Sequence, residues 1–378
     1  MRLGFDVRPF LREETGVGVY FKNLLWELAK VDRENEYVLF SASWKDRFPA
    51  EKIPPFAKMR FLDKRWPVRA VDALWYGRRW PTLDRVAGAA LDLTHSPTPL
   101  LLPTRGRTVV TVCDLYFLER PERADRQARA HFLSRTERAL RDADAVVAIS
   151  EFTKTALVRR FGLEPAKIAV THLGVSPVFK TPPSPEEVEG VRRKHRLPGE
   201  FILFVGASEP RKNLPLLIDA LALVHRKAGK IPLVIAGRQG GDAAAVEERV
   251  RALGLQDAVL RPGYVSDGDL LALYHAASAF VFPSSCEGFG LPLLEAMACG
   301  LPAAVSNAGA LPEIGGEAAV YFDPEDSEAV AAALVRVLGD AGLRASLRPR
   351  GRERALAFDW ARTAGETLAL YRAVAGGR

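Results

Sequence analysis

The chain has 378 residues, 48% hydrophobic and 26% charged, which fits two or three soluble globular domains with sizeable cores. No apolar run reaches a membrane span, and Cys113, Cys286 and Cys299 form neither a disulfide framework nor a metal-ligand pattern, so a reducing cytoplasm and no secretory leader are expected. Net charge is +7, divided as a surplus of +9 up to residue 185 (31 basic, 22 acidic) and −2 beyond. That asymmetry argues against a nucleic-acid-coated protein; it fits anionic substrates or an acidic lipid surface, or else an arginine-rich solvated face.

Short apolar runs alternate with amphipathic stretches along the whole chain. In the first half, strands are expected at Arg2–Val7, Tyr37–Ser41, Lys58–Phe61, Leu91–His95, Thr108–Val112, Ala145–Ile149 and Ile168–Thr171. Helical patterns lie between them at Val19–Lys30, Asp125–Arg141 and Glu151–Phe161. A break falls around Val178–Pro198, where Pro182, Pro183 and Pro185 cluster among polar residues. Beyond it, strands are expected at Phe201–Val205, Leu233–Ala236, Val259–Arg261, Ala279–Phe282, Ala303–Ser306 and Ala318–Phe322. The helices there are Asn213–Lys227, Ala243–Leu253, Ser266–Ala277 and Ser327–Leu338.

Such alternation gives parallel sheets covered by helices on both faces. The fold class is therefore α/β: two doubly wound, Rossmann-like domains, residues 1–180 and 181–358, with a ligand cleft between them. The stretch "AFDWARTAGETLALYRAV" forms an amphipathic helix, with Trp360, Ala364, Leu368 and Tyr371 on one stripe.

The glycines exclude a dinucleotide site. After the first strand, eight residues intervene before Gly16-Val17-Gly18, and a third glycine is missing. The second half offers Gly206-Ala207-Ser208-Glu209-Pro210-Arg211-Lys212-Asn213, with one glycine and two cations, and no Walker sequence occurs anywhere.

Four segments of the second half fall just after expected strands, at the carboxyl edge where open α/β sheets bind ligands. The first places Arg211 and Lys212 ahead of a helix, where they can neutralise phosphate. In Gly263-Tyr264-Val265-Ser266-Asp267, the loop backbone could bond a base edge. In "SSCEGFGLPLLEAMACGLP", Gly288 and Gly290 permit close backbone approach, and Pro292 suits the first turn of a helix ending at Gly300. That turn aims unpaired N–H groups at an anion, with Glu287 before it and Glu295 inside the helix. The plainer account of Glu295 is a small gain from the helix dipole. The fourth segment is Ser306 to Glu313. Cations for a diphosphate, a helix N-terminus facing it and a carboxylate for vicinal hydroxyls together describe a nucleotide-sugar site.

At these residues the chain resembles the family 4 retaining glycosyltransferases of the GT-B fold. The resemblance is carried by "LFVGASEPRKNLPLLIDAL", by "PGYVSDGDLLALYHAASAFVFPSSCEGFGLPLLEAMACGLPAAVSNAGALPEIGGEAAVYFDP", by "ADAVVAISEFTKTALVRRFGLEPAKIAVTHLGVSPVF" and by the opening "DVRPFLREETGVGVYFKNLLWEL". It implies that Glu295 binds the ribose hydroxyls and that Glu287 lies at the donor sugar. It also implies that the Gly288-Phe289-Gly290-Leu291 backbone serves sugar and diphosphate, and that Lys212 grips the diphosphate with Arg211. Gly206, Tyr264 and Val265 would line the donor, and the Gly16–Gly18 loop would close over it from the first domain. The C-terminal helix, residues 359–378, would cross back to cap the first domain, which binds the acceptor.

The resemblance further implies a donor linked to UDP or GDP, a glycan or lipid-linked acceptor in envelope or exopolysaccharide assembly, no cofactor and no metal. The glycine turn itself, Ser284 to Leu291, contains no Asp-x-Asp cluster, in agreement. Two departures stand out. Ala207 occupies a position where members often have arginine. Cys113-Asp114 replaces the usual His-Asp, whose imidazole commonly bonds the donor's 6-hydroxyl, a task for which a thiol is poorly suited. His95 is the substitute available, unless it serves strand-end structure or acceptor contacts. The rival functions are a nucleotide-sugar epimerase or hydrolase of the same fold and a non-catalytic nucleotide- or glycan-binding protein.

Overall fold

The computed structural model describes residues 1–11, 16–116 and 126–376. The chain divides into two compact units, Met1–Gly174 with Asp359–Arg378, and Val175–Phe358.

The first unit is a seven-stranded, all-parallel sheet in the order β3-β2-β1-β4-β5-β6-β7. Its strands are β1 Arg2–Asp6, β2 Glu36–Ala42, β3 Met59–Lys64, β4 Leu93–Ser96, β5 Arg107–Val112, β6 Ala145–Ala148 and β7 Ile168–Val170. The inner strands are buried on both faces, as β-branched and aromatic runs such as "YVLF" and "TVVTV" require. Helix Gly16–Val31 packs on the C-terminal helix Trp360–Gly376. Trp360 and Tyr371 of that helix are 4% and 0% exposed, so the apolar stripe read from the sequence is core.

The expected glycine loop is here a helix start. Gly16 and Gly18 form the first turn of Gly16–Val31, three residues ahead of the expected Val19. With no side chain to shield the backbone, glycine is a weak helix former, and that moved the expected boundary inward.

The second unit is a six-stranded parallel sheet in the order β10-β9-β8-β11-β12-β13. These are β8 Ile202–Val205, β9 Leu233–Ala236, β10 Val259–Gly263, β11 Ala279–Phe282, β12 Ala303–Ser306 and β13 Ala319–Phe322. From β8 the chain winds outward through β9 and β10, then returns to β11 and winds the other way. The switch point lies between β8 and β11, where an open α/β sheet leaves a crevice at its carboxyl edge.

The proline-rich break contains a helix, Pro185–His195. Ser184 and Glu187 close a reciprocal capping box and Pro185 sits in the first turn. Prolines that read as a linker are here a helix start. Helix Ala341–Leu356 carries Pro349 within it and packs its Leu347, Gly351 and Ala355 face against helix Leu291–Ala298. Gly351 is tight there: a Cβ would come 3.3 Å from the Met297 carbonyl.

Candidate nucleotide-sugar site

Three of the four segments converge at the switch point of the second unit. After β8, Gly206 takes φ +148°, a conformation that favours glycine. A one-turn 3₁₀ helix, Pro210–Lys212, then presents both cations, and Asn213 at φ +56° turns the chain into helix Leu214–Ala228. Across the switch, the segment after β11 carries Glu287. Lys212 Nζ donates to Glu287 Oε1 at 2.6 Å, and Arg211 donates through a terminal nitrogen to Oε2 at 2.7 Å. The loops are also joined through backbone, since Ser285 N–H donates to the Arg211 carbonyl at 2.8 Å.

Lys212 and Glu287 of this ion cluster are buried, 5% and 7% exposed, and Arg211 is partly so. Burial alone would raise the Glu287 carboxyl, but the Lys212 ammonium and then the Arg211 guanidinium outweigh it and hold it at about 2. Burial also draws the Lys212 ammonium below its ordinary value, against the pull of Glu287. The Lys212 ammonium further lies 4.4 Å from the centre of the Phe282 ring. Arg211 also donates through Nε to Glu209 Oε2 at 2.8 Å, so the two cations meet two carboxylates.

The glycine turn follows. Gly290 is the N-cap of helix Leu291–Ala298 at φ +104°, and a Cβ there would come 2.5 Å from Leu311 Cδ2. Gly288 is buried, Phe289 is 3% exposed with its ring edge-on to Phe358 at 5.7 Å, and Leu291 begins the helix. The fourth segment closes over this turn. Ala310 N–H donates to the Glu287 carbonyl at 2.9 Å, and a Cβ on Gly309 would come 2.6 Å from both Glu287 N and O.

Glu295 sits in the body of the same helix. Tyr274, on helix Asp267–Ala276, donates to its Oε2 at 2.9 Å. Burial pushes the Glu295 carboxyl up to about 8; the Tyr274 bond opposes the shift and Asp267 adds to it. Two glutamates eight positions apart are thus driven in opposite directions, one by cations and the other by desolvation. After β10, Tyr264 is 64% exposed under the Arg238 guanidinium at 5.0 Å, and Val265 is nearly buried.

Residues 15–179 match the family described as Glycosyltransferase Family 4, and residues 188–354 match Glycosyl transferases group 1. The O-antigen chain mannosyltransferase B of Escherichia coli is 30% identical over 384 residues, covering 98% of this chain and 100% of that protein. The chain is a family 4 glycosyltransferase. Among solved structures, the sucrose-phosphate synthase of Thermosynechococcus elongatus is similar with a TM-score of 0.79 at 22% identity, covering 100% of both chains. HepE of Anabaena, solved in complex with UDP-glucose, is similar with a TM-score of 0.77 at 18% identity, covering 98% of this chain and 100% of that one. At these identities the likeness concerns the fold, which is GT-B.

In the first unit of this glycosyltransferase, the expected reserve residue His95 takes a different place. Its Nδ1 bonds the Tyr371 hydroxyl at 2.5 Å, its Nε2 bonds Thr111 Oγ1 at 2.7 Å, and it is 0% exposed. Burial drops its pKa to about 3, so it is a neutral core residue with both ring nitrogens committed. Of the roles expected for it, this fits strand-end structure and corrects the sugar or acceptor contact. Cys113, just past β5, is partly exposed, with its thiol pushed up by burial and then by Asp114; Asp114 is exposed and accepts from Tyr116 N–H at 3.3 Å.

Sequence reading passed over Tyr274 and Gly309. Tyr274 is the single tyrosine of an expected helix and belongs to no motif, and Gly309 lies in a segment marked only by its position after a strand.

Proposed function

We propose that the enzyme is a retaining, metal-independent glycosyltransferase moving a hexose from a nucleoside diphosphate to a growing glycan. The reading rests on one observation above others: two cations and a helix N-terminus converge at the sheet switch point beside Glu287. Lys212 and Arg211 would bind the diphosphate and Glu295 the ribose. In the reaction, the bond from the anomeric carbon to the β-phosphate oxygen breaks with its electron pair going to phosphate. The acceptor hydroxyl bonds the same face of the carbon, and its proton passes to the departing phosphate. Lys212 and the helix N-terminus balance the charge that grows on that oxygen.

The full-length likeness to an O-antigen mannosyltransferase supports a mannosyl donor, and a polysaccharide or lipid-linked acceptor on the cytoplasmic side of an envelope. No helix among the described residues is long and apolar enough to cross a membrane. The surplus of +9 up to residue 185 supports peripheral contact with anionic lipid. Co-sedimentation that rises with anionic lipid and falls with salt is the expected result; equal binding to neutral vesicles opposes it. Donor turnover decides the main reading. Without acceptor the enzyme should slowly release nucleoside diphosphate, and with acceptor it should form an α-linked product from an α-linked donor. A product of inverted configuration would exclude retention.

Cys113 favours a second donor, a 6-deoxyhexose, because its small thiol asks for no hydroxyl at C6. GDP-mannose against its 6-deoxy counterpart, with wild type and Cys113→His, separates the two. A shift in kcat/KM toward mannose of about one to two orders of magnitude in the variant supports the cysteine's role in donor choice. An unmoved ratio with mannose preferred removes it.

A further inference from the structure

Glu295 is held from behind by a tyrosine that has little freedom of its own. Tyr274 is 1% exposed, with Phe179 edge-on at 5.7 Å and Phe280 at 6.0 Å. Its helix is braced by Pro185–His195: Lys194 and His195 both reach Asp269 in the first turn, at 2.6 and 2.9 Å, and Arg192 donates to the Ala276 carbonyl at the last. The phenol is thereby aimed at the first turns of helix Leu291–Ala298, 2.9 Å from Glu295 Oε2 and 3.2 Å from the Pro292 carbonyl.

A carboxylate accepts at about four lone-pair sites. Tyr274 takes one of them and fixes the plane of the group, leaving acceptors for two neighbouring hydroxyls. A glutamate without this tether would have to freeze its rotamers when ligand arrives. We propose that Tyr274 is the positioning residue of nucleotide recognition, fixing the Glu295 carboxylate so that it receives the 2′,3′-diol of a ribose. The inference rests on Glu295 being the ribose carboxylate.

A protonation signature follows. The titratable groups acting on Glu295 are Tyr274 and Asp267, with Cys299 beyond the end of its own helix; Arg352, from helix Ala341–Leu356, acts on Cys299. Burial raises the carboxyl to about 8, so the ligand-free enzyme carries a proton there at neutral pH, whereas the diol needs the ionised form. Nucleotide affinity rises as pH approaches 8 from below, and binding under that pH releases a proton. The Tyr274 bond favours the ionised form, so its loss moves the midpoint upward.

The test is calorimetric titration of wild type and Tyr274→Phe, from pH 6 to 9, with GDP and UDP and their 2′,3′-dideoxy counterparts. Wild type is expected to prefer the ribose form by about tenfold or more, the scale of hydrogen bonds to a charged group. In Tyr274→Phe that preference falls to about twofold, dideoxy affinity stays within about twofold of wild type, and the pH midpoint rises. Equal losses for both sugars, or a retained preference with an unmoved midpoint, overturn the role of Tyr274 alone. A wild type that does not distinguish ribose from dideoxyribose overturns the Glu295 assignment and this inference together.

Discussion

Lys212 and Arg211 end on one carboxylate, yet their loss should read differently from the loss of Glu295. The charge met by Lys212 grows as the glycosidic bond breaks, so Lys212→Ala is expected to lower kcat by about 10²–10³, the usual scale for one preorganised electrostatic donor. Steady-state kinetics with saturating donor check this; an unchanged kcat with a raised KM would assign Lys212 to uniform binding. Glu295 makes a prediction about stability. Its carboxyl titrates at about 8 when folded, against 4.5 as the ordinary value. Between those values the unfolded chain has lost the proton and the folded chain has kept it, so stability falls as pH rises. Glu295→Gln cannot titrate, so its stability should lack that component. The variant is expected to exceed wild type by about 1–3 kcal/mol at pH 8, with the gap closing towards pH 4.5. Urea melts across that window measure it. Glu287 has the opposite sign: its stabilisation is present above 4.5 and is lost only as pH falls through about 2, outside the window. A residue that serves ligand binding is here a burden on the empty fold.

At the scale of elements, the loops after β8, β11 and β12 form one unit because glycine lets backbones touch. Gly309 has φ +68° and no room for a Cβ against Glu287 backbone, whereas Gly254 has a similar φ of +65° with nothing within 4 Å. Gly309→Ala is expected to cost more than Gly254→Ala, about 2–4 kcal/mol against about 1, since only the first adds a clash that no side chain can relieve. Thermal melts of the two variants make the comparison, and only Gly309→Ala should also weaken donor binding. All the strands of both sheets were readable in advance, because each carries a short apolar run between turn residues, although the edge strands β3, β10 and β13 are only partly buried. The cation pair and the glycine turn were readable for the same reason: each follows a strand. The helices at Pro185–His195 and Ala341–Leu356 were not, since prolines at a first turn or inside a helix imitate linkers and breaks. Tyr274 was hidden with them. Its orientation depends on the Pro185–His195 helix, and a contact between side chains 21 positions apart on different helices leaves no periodic trace.

On the scale of the whole molecule, the first unit is made of two pieces of chain, with Asp359–Arg378 returning to it. The return is tightly fitted: a Cβ on Gly174 would come 2.2 Å from the Trp360 nitrogen, and Thr363 donates to the His172 carbonyl at 2.6 Å. Tyr371 supplies one of the two bonds of buried His95. A polypeptide of residues 175–358 is therefore expected to fold by itself, while residues 1–174 without the last helix are not. Circular dichroism and cooperative melting of the two fragments test this, and a cooperative transition in the 1–174 fragment would oppose it.

The same return sets a schedule for the nascent chain. The second unit is contiguous and is complete as soon as Phe358 clears the ribosome. The first unit, although translated first, has to wait until its closing helix has been made. At about 5–20 residues per second, the 204 positions after Gly174 take about 10–40 s. Throughout that interval the surface meant for Trp360 and Tyr371 is uncovered. The amino-terminal half is thus the part of a newborn chain most in need of a chaperone, and the enzyme's last helix, not its first, marks the moment it becomes safe from aggregation.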